Sequence, residues 1–377
     1  MLEPREAVLN TKEYHPPLGG RVGLRMDFNE NTSGCSPRVL QKLREIDSEL
    51  LAKYPERESV EAVVAQHLGL DAAQVVLTNG VDEGIHLLCQ TYIDPGDEAL
   101  IAVPTFSMYE VYASAAAAKV ITVQCEGGAS PSAGPPSGAA NAGVLRDFAY
   151  PLDRVLAAIT PRTRFIAVAT PNNPTGTVVS EDAIVALCEA APQAAVLVDE
   201  AYFDFYGKTV LPLIGKYSNI FVSRTFSKAH GLAGLRAGVL AGTSEQMRMV
   251  RRVSSPYNVN AVALALLPEA LADRDYMNGY VEQVKRTRER LQDEFTALGI
   301  KCWPSEANFL LAYFGEMRKD FVAAMKRRGI LVRDRNSDPG CAGCVRITCG
   351  RDYQMDAVIE ALRNSIEEIR AKTEVVR

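Results

Sequence analysis

Six short, nearly continuous apolar runs lie between residues 74 and 240: Gln74-Val-Val-Leu77, Ala99-Leu-Ile-Ala-Val103, Phe165-Ile-Ala-Val-Ala169, Ala195-Val-Leu-Val198, Ile220-Phe-Val222 and Ala237-Gly-Val-Leu240. Runs of this length without polar alternation suit strands buried on both faces, as in a mostly parallel sheet. Helical patterns fill the intervals, for example residues 181–191 after the candidate N-cap Ser180. Strand and helix in alternation predict an α/β fold with crossover helices. That fold restricts where chemistry can sit, because ligands of open α/β sheets bind beyond the carboxyl ends of the strands.

After residue 246 the pattern changes. A charged amphipathic helix at 283–298, strands at Phe309–Tyr313 and Val345–Thr348, and a closing helix at 355–369 predict a smaller α+β unit. The expected division is a segment at 1–45 joining the small domain, a large domain at 46–255, and an interdomain helix with the small C-terminal domain at 256–377. Residues 127–143, GGASPSAGPPSGAANAG, contain only Gly, Ala, Ser, Pro and Asn. Such a stretch cannot bury a core and is predicted to be a mobile surface loop, a lid over the site being the other reading.

Residues at the predicted strand ends are the candidates for chemistry. Gly80, Val81 and Asp82 lie in a glycine turn that opens a helix, where free N–H groups can cradle a phosphate. Phe106 follows the second run, either as core packing or as a plate for a planar ring. Thr170-Pro-Asn-Asn-Pro-Thr-Gly176 fixes the amide of Asn173 in an irregular loop. Asp199 ends a buried strand, which is costly without a cationic or hydrogen-bonding partner. Tyr202 stands three residues on, and Ser223-Arg-Thr-Phe-Ser-Lys228 brings a lysine among small residues, with Arg236 eight positions later. Phosphate cradle, stacking ring, oxygen-binding Asn and Tyr, nitrogen-binding Asp and an amine are together what pyridoxal 5'-phosphate demands.

Composition narrows the partners. A formal net charge of -5 over 377 residues gives no nucleic-acid footprint. No apolar run approaches the roughly 18 residues of a membrane span. The opening MLEPREAVLN is charged and carries no apolar signal region. The eight cysteines are scattered, and Cys341-Ala-Gly-Cys344 is a lone CxxC pair. They read as reduced thiols of a cytoplasmic protein, with no metal site expected.

On these motifs the chain resembles the fold-type I pyridoxal-phosphate aminotransferases of class I/II, and most closely their histidinol-phosphate branch. Ser227-Lys-Ala-His-Gly-Leu-Ala-Gly-Leu-Arg236, Pro171-Asn-Asn-Pro-Thr-Gly176 and Asp199-Glu-Ala-Tyr202 stand in the family's order, with Pro256-Tyr-Asn-Val-Asn260 and Ser305-Glu-Ala-Asn-Phe-Leu-Leu311 after them. The resemblance runs from Tyr14 to the final helix. It implies a large domain with a mostly parallel sheet flanked by helices, a smaller α+β domain, and pyridoxal 5'-phosphate as cofactor.

Residue by residue, the resemblance implies that Lys228 carries the cofactor as a Schiff base and later moves the proton. Asp199 would pair with the pyridinium nitrogen, and Asn173 and Tyr202 would hold the phenolic oxygen. Phe106 takes the stacking position, where relatives often have tyrosine. Val81 and Asp82 in the Gly80 turn, with Thr225, Ser227 and Arg236, would hold the phosphate. Tyr54 would reach the neighbouring subunit's phosphate, which implies a homodimer.

For substrate the resemblance implies Arg346 on an α-carboxylate, Arg333 on a substrate phosphate, and Tyr14 and Asn29 covering the site. The implied reaction is ping-pong transamination between a small-molecule amino donor and a 2-oxo acid, histidinol phosphate and 2-oxoglutarate in this branch. An aromatic amino acid aminotransferase and a threonine-phosphate decarboxylase are the alternatives on the same scaffold, and a non-catalytic effector-binding domain is the alternative of another class. Two departures, Thr32 ending Asn29-Glu-Asn-Thr32 where proline is commoner and the 127–143 insertion, leave the cofactor set untouched.

Overall fold

The computed structural model describes residues 2–11, 13, 15, 19–129 and 145–375. Tyr14 and residues 130–143 of the low-complexity stretch lie outside the described residues.

The first strand, β1 (Leu24–Met26), is followed by β2 (Val75–Asn79), β3 (Glu98–Val103) and β4 (Lys119–Gln124). A short ribbon of β5 (Glu126–Gly128) and β6 (Arg146–Ala149) comes next. Then come β7 (Thr163–Ala169), β8 (Ala195–Asp199), β9 (Ile220–Thr225) and β10 (Ala237–Ala241). β11 (Phe309–Tyr313), β12 (Ile330–Asp334) and β13 (Cys344–Thr348) complete the set.

Seven of these form one sheet in the order β2-β10-β9-β8-β7-β3-β4. The pairs β8 with β9, β7 with β8, β3 with β7 and β3 with β4 are parallel. β10 runs antiparallel to both of its neighbours, β2 and β9. The fold is thus the expected α/β class, with one reversed strand that the apolar runs do not reveal.

Both faces of this sheet are covered, which explains the unbroken apolar runs. β3, β8 and β10 are buried at every position. Alternation still operates, between two cores instead of core and solvent. Ile166 and Val168 enter one core with Val196 and Val198, while Phe165 and Ala167 enter the other with Ala195 and Leu197. Each Val, Leu, Ile or Phe among them contributes on the order of 1.5–3 kcal/mol when fully buried. Ser180 caps the helix Glu181–Ala190 by accepting from the Ala183 N–H, as its sequence position suggests.

A second sheet, in the order β1-β12-β13-β11, carries its own core with Tyr280, Phe295, Phe309 and Leu362. The helices predicted at 283–298 and 355–369 extend further, over Arg274–Ala297 and Asp352–Val375. β1 pairs in parallel with β12, Leu24 opposite Ile330 and Met26 opposite Val332. This pairing fixes the N-terminal chain so that Asp27, Phe28 and Asn29 emerge at the junction of the two sheets.

β10 also sets how closely the helix after β2 can approach the sheet. A Cβ added at Gly238 would stand 2.7 Å from the Gly80 carbonyl carbon and 2.8 Å from the Val81 nitrogen. Backbone cannot retreat as a side-chain tip can, so Gly238→Ala is expected to lower stability by about 1–3 kcal/mol. Denaturant unfolding of the two proteins checks this, and an unchanged midpoint would contradict the close approach.

Candidate active site

The carboxyl ends of β2, β3, β7, β8 and β9 all point to one side of the large sheet, because these strands share a direction. Because β10 runs the other way, its amino end lies there too, preceded by Arg236. The residues singled out after separate apolar runs are therefore gathered by topology at one place.

The helix Gly80–Tyr92 starts directly from β2. Gly80 has φ 76°, a left-handed conformation that favours glycine. A Cβ there would stand 2.4 Å from Arg236 Nη2, so the glycine also admits the guanidinium. Asn79, at the N-cap, makes no side-chain bond to the first turn. Arg236, itself left-handed at φ 55°, donates from Nη2 to Asp82 at 2.9 Å. Thr225 Oγ1 accepts from the Ser227 N–H at 3.1 Å. The Ser227 hydroxyl is buried with no hydrogen-bonding partner among the described residues. An orphaned hydroxyl, an uncapped helix start and an arginine converging on a glycine turn fit a phosphate group.

Further along the strand ends lies Asp199, 5% exposed at the end of β8. Its carboxylate accepts from the Tyr109 hydroxyl, from Ser223 Oγ at 3.1 Å and from the Ala201 N–H at 3.1 Å. Burial pushes its pKa up to about 6, and the three donors pull the other way. Tyr109 is a residue that the sequence reasoning missed. Its ring meets that of Phe106 edge to face at 5.7 Å, so the predicted stacking residue and the Asp199 partner form one wall.

Tyr202 is buried, and its hydroxyl accepts from Asn29 Nδ2 at 2.8 Å. Asn29 has φ 55° and is held by Thr348, whose Oγ1 accepts from the Asn29 N–H and donates to its Oδ1, both at 3.1 Å. Lys228 as a whole residue is half-buried, and its Nζ donates to the Phe28 carbonyl at 3.1 Å. The amine itself sits deep in the cleft: burial, reinforced by the positive charges of Arg346 and Arg236, lowers its pKa to about 8. At neutral pH an accessible fraction is the uncharged nucleophile.

Arg346, in β13, is 3% exposed. It donates to the Asn173 side chain and, from Nη2, to the Asp27 carbonyl at 2.6 Å, while its Nε has no partner among the described residues. Burial, with Arg335 and Arg333 nearby, lowers its pKa to about 9. Arg333 stands opposite Arg346 in the β12–β13 ladder, its guanidinium 5.3 Å over the Phe28 ring. Tyr54 stands away from this group on the surface, 78% exposed, with its ring stacked on Tyr257 at 4.4 Å.

Apart from Tyr54, these residues form one cleft with a phosphate-fitting end, an acid-and-amine centre and an arginine pair. The donor set suits pyridoxal 5'-phosphate: an amine for the aldehyde, a carboxylate for a ring nitrogen, and a cradle for the phosphate. Comparison with known proteins agrees. The family profile described as aminotransferase class I and II matches residues 22–362. The histidinol-phosphate aminotransferase of Moorella thermoacetica is 33% identical over 376 residues, covering 95% of this chain and 92% of its own.

Among solved structures, the histidinol-phosphate aminotransferase from Sinorhizobium meliloti in complex with pyridoxal-5'-phosphate has a TM-score of 0.82 at 21% identity, covering 98% of this chain and 99% of that one. The L-threonine-O-3-phosphate decarboxylase from Porphyromonas gingivalis has a TM-score of 0.74 at 23% identity, covering 91% and 99%. These two likenesses show the fold. With the sequence relationship spanning nearly the whole length, the chain belongs to the class I and II aminotransferase family, and it is a pyridoxal-phosphate aminotransferase by that membership.

Proposed function

We propose that this aminotransferase moves an amino group from histidinol phosphate to 2-oxoglutarate, giving imidazole acetol phosphate and glutamate in two half-reactions that use one site in turn. The observation that carries this reading is the register of β12 on β13, with Arg333 opposite Arg346. Directly opposed side chains share a sheet face, and like charges so placed repel. Anionic substrates relieve that repulsion. Arg346 is assigned to the α-carboxylate of glutamate and 2-oxoglutarate, and Arg333 to the phosphate of histidinol phosphate.

Pyridoxal phosphate bound in the cleft supplies an aldehyde that condenses with amines and a ring that draws electrons from the reacting carbon. Gly80, Val81 and Asp82, with Thr225, Ser227 and Arg236, are assigned to its phosphate. Asp199, held in place by Tyr109 and Ser223, would keep a proton on the ring nitrogen. Asn173 and Tyr202 are assigned to the ring oxygen, and Phe106 to one ring face. Lys228 would hold the cofactor aldehyde through its Nζ and would serve as the base that takes the proton from the substrate carbon bearing nitrogen. The working unit is proposed to be a homodimer in which Tyr54 reaches the phosphate end of the neighbouring subunit. Its exposed stack with Tyr257 supports that reading. All eight cysteines are unbonded, which supports a cytoplasmic setting.

Three outcomes are expected. Arg333→Gln raises KM for histidinol phosphate by about tenfold or more while changing KM for glutamate little, since a bond to a charged group is lost only with the phosphate donor. Steady-state kinetics with both donors, and with phenylalanine and threonine phosphate as controls, decide it. Unchanged turnover of histidinol phosphate would remove the assignment, and decarboxylation of threonine phosphate would replace it.

Asp199→Asn lowers kcat by about 10²–10³-fold, because a preset charge at the ring is removed. Single-turnover kinetics separate that loss from weaker cofactor binding. Finally, capture of pyridoxal phosphate by the cofactor-free protein accelerates with pH and levels off above about 8, where Lys228 is uncharged. Stopped-flow absorbance follows the capture, and a rise continuing to the ordinary lysine range near 10.4 would contradict the lowered pKa.

A further inference from the structure

β2 is the edge strand of the large sheet, and one residue of the Pro256–Asn260 loop covers its open side. Asn258 Nδ2 donates to the Leu77 carbonyl at 2.9 Å and to Glu83 Oε2 at 2.7 Å. Its Oδ1 accepts from Arg57 Nη1 at 2.7 Å. With the oxygen side of the amide occupied by arginine, the two N–H donors must face Leu77 and Glu83. Glu83 Oε2 also accepts from the Asn79 N–H, immediately before Gly80. Arg57 is anchored in turn by Glu61, which accepts from the Leu77 N–H at 3.0 Å and pairs with Arg251 at 2.9 Å.

This arrangement bears on the phosphate end of the cleft. Two acids, Asp82 and Glu83, stand in the first turn of the helix whose N–H groups are assigned to the phosphate. A carboxylate in that turn is the natural competitor for the same donors. Asp82 is tied to Arg236 at 2.9 Å. Glu83 has no cation within ion-pair distance among the described residues, and Asn258 is the side chain that bonds it.

We propose that Asn258 is a positioning residue: its amide holds the Glu83 carboxylate on the outer edge of β2 and so reserves the first-turn N–H groups for the cofactor phosphate. The inference rests on the assignment of that helix start to the phosphate. Its reach is confined to the phosphate end. Loss of the Asn258 amide frees a negative charge beside the cradle and leaves Lys228 and Asp199 as they are.

The test is titration of the full-length protein, freed of cofactor by dialysis against cysteine, with pyridoxal phosphate and with pyridoxal, which has the same ring and aldehyde without the phosphate. Absorbance and near-ultraviolet dichroism report binding. Asn258→Ala is expected to weaken pyridoxal phosphate by about tenfold, the loss of one hydrogen bond to a charged group, and to leave pyridoxal unchanged. Adding Glu83→Gln to Asn258→Ala is expected to restore the phosphorylated form, because the competing charge is gone.

Equal weakening of both compounds, no weakening of either, or no restoration would overturn the proposal. Should Asn258→Ala fail to fold, Glu83→Gln alone decides: pyridoxal phosphate bound at least as tightly as by the wild type supports the inference, and weaker binding overturns it. A wild-type protein that binds neither compound removes the cofactor assignment along with the inference. A wild type that binds pyridoxal phosphate while the variants match it removes the inference alone.

Discussion

Lys228, Asp199 and Arg346 bring three ionisable groups into one cleft, and among the described residues none of them has an opposite charge for a partner. An unpaired charge away from water is costly, and proteins relieve it by hydrogen bonds or by shifting protonation toward the neutral form. Both responses are present. Asp199 collects a tyrosine, a serine and a backbone N–H, Lys228 a carbonyl, and Arg346 an amide and a carbonyl. All three pKa values move toward neutrality. The remaining imbalance suits a ligand that brings a protonated ring nitrogen, an aldehyde and carboxylates. Much of the surrounding structure, from the Tyr109 wall to the emergence of Phe28 and Asn29 beside β1, keeps those groups apart and held.

The sheet topology makes this possible at low cost in loop length. Six strands of common direction deliver their ends to one side, and the reversed β10 delivers its beginning there. Arg236 can thus meet the Gly80 turn across the sheet, although 155 positions separate them in sequence. The small sheet contributes from the opposite wall, and the N-terminal chain enters between the two because β1 is paired to β12.

Much of this is legible in the chain because a polar residue ending an apolar run is conspicuous. Asp199 announces itself that way, while Asn173, Tyr202 and Lys228 lie in the polar stretches that follow such runs and Arg236 stands just before one. Tyr109 does not: on the buried face of the helix Met108–Ala115 it looks like core, and only the fold brings its hydroxyl to β8. The carbonyls of Asp27 and Phe28 are equally silent, since every residue has one. The reversal of β10 leaves no mark either, because a short buried strand reads the same in both directions. β12 is hidden where Arg333 and Asp334 interrupt its apolar start, and β4 where its exposed edge brings polar residues into the run.

The bond between Arg346 and Asn173 joins the small sheet to a loop of the large one. With Arg346 in the proposed role of carboxylate anchor, its guanidinium is already occupied before any substrate arrives. Binding is then an exchange of partners, and its free energy is the difference between two hydrogen-bonded states instead of the full strength of a new one. Such a difference is small by construction. Under the proposed reaction such an exchange would let a product carrying the same carboxylate leave as readily as a substrate enters, which two half-reactions in succession at one site would require.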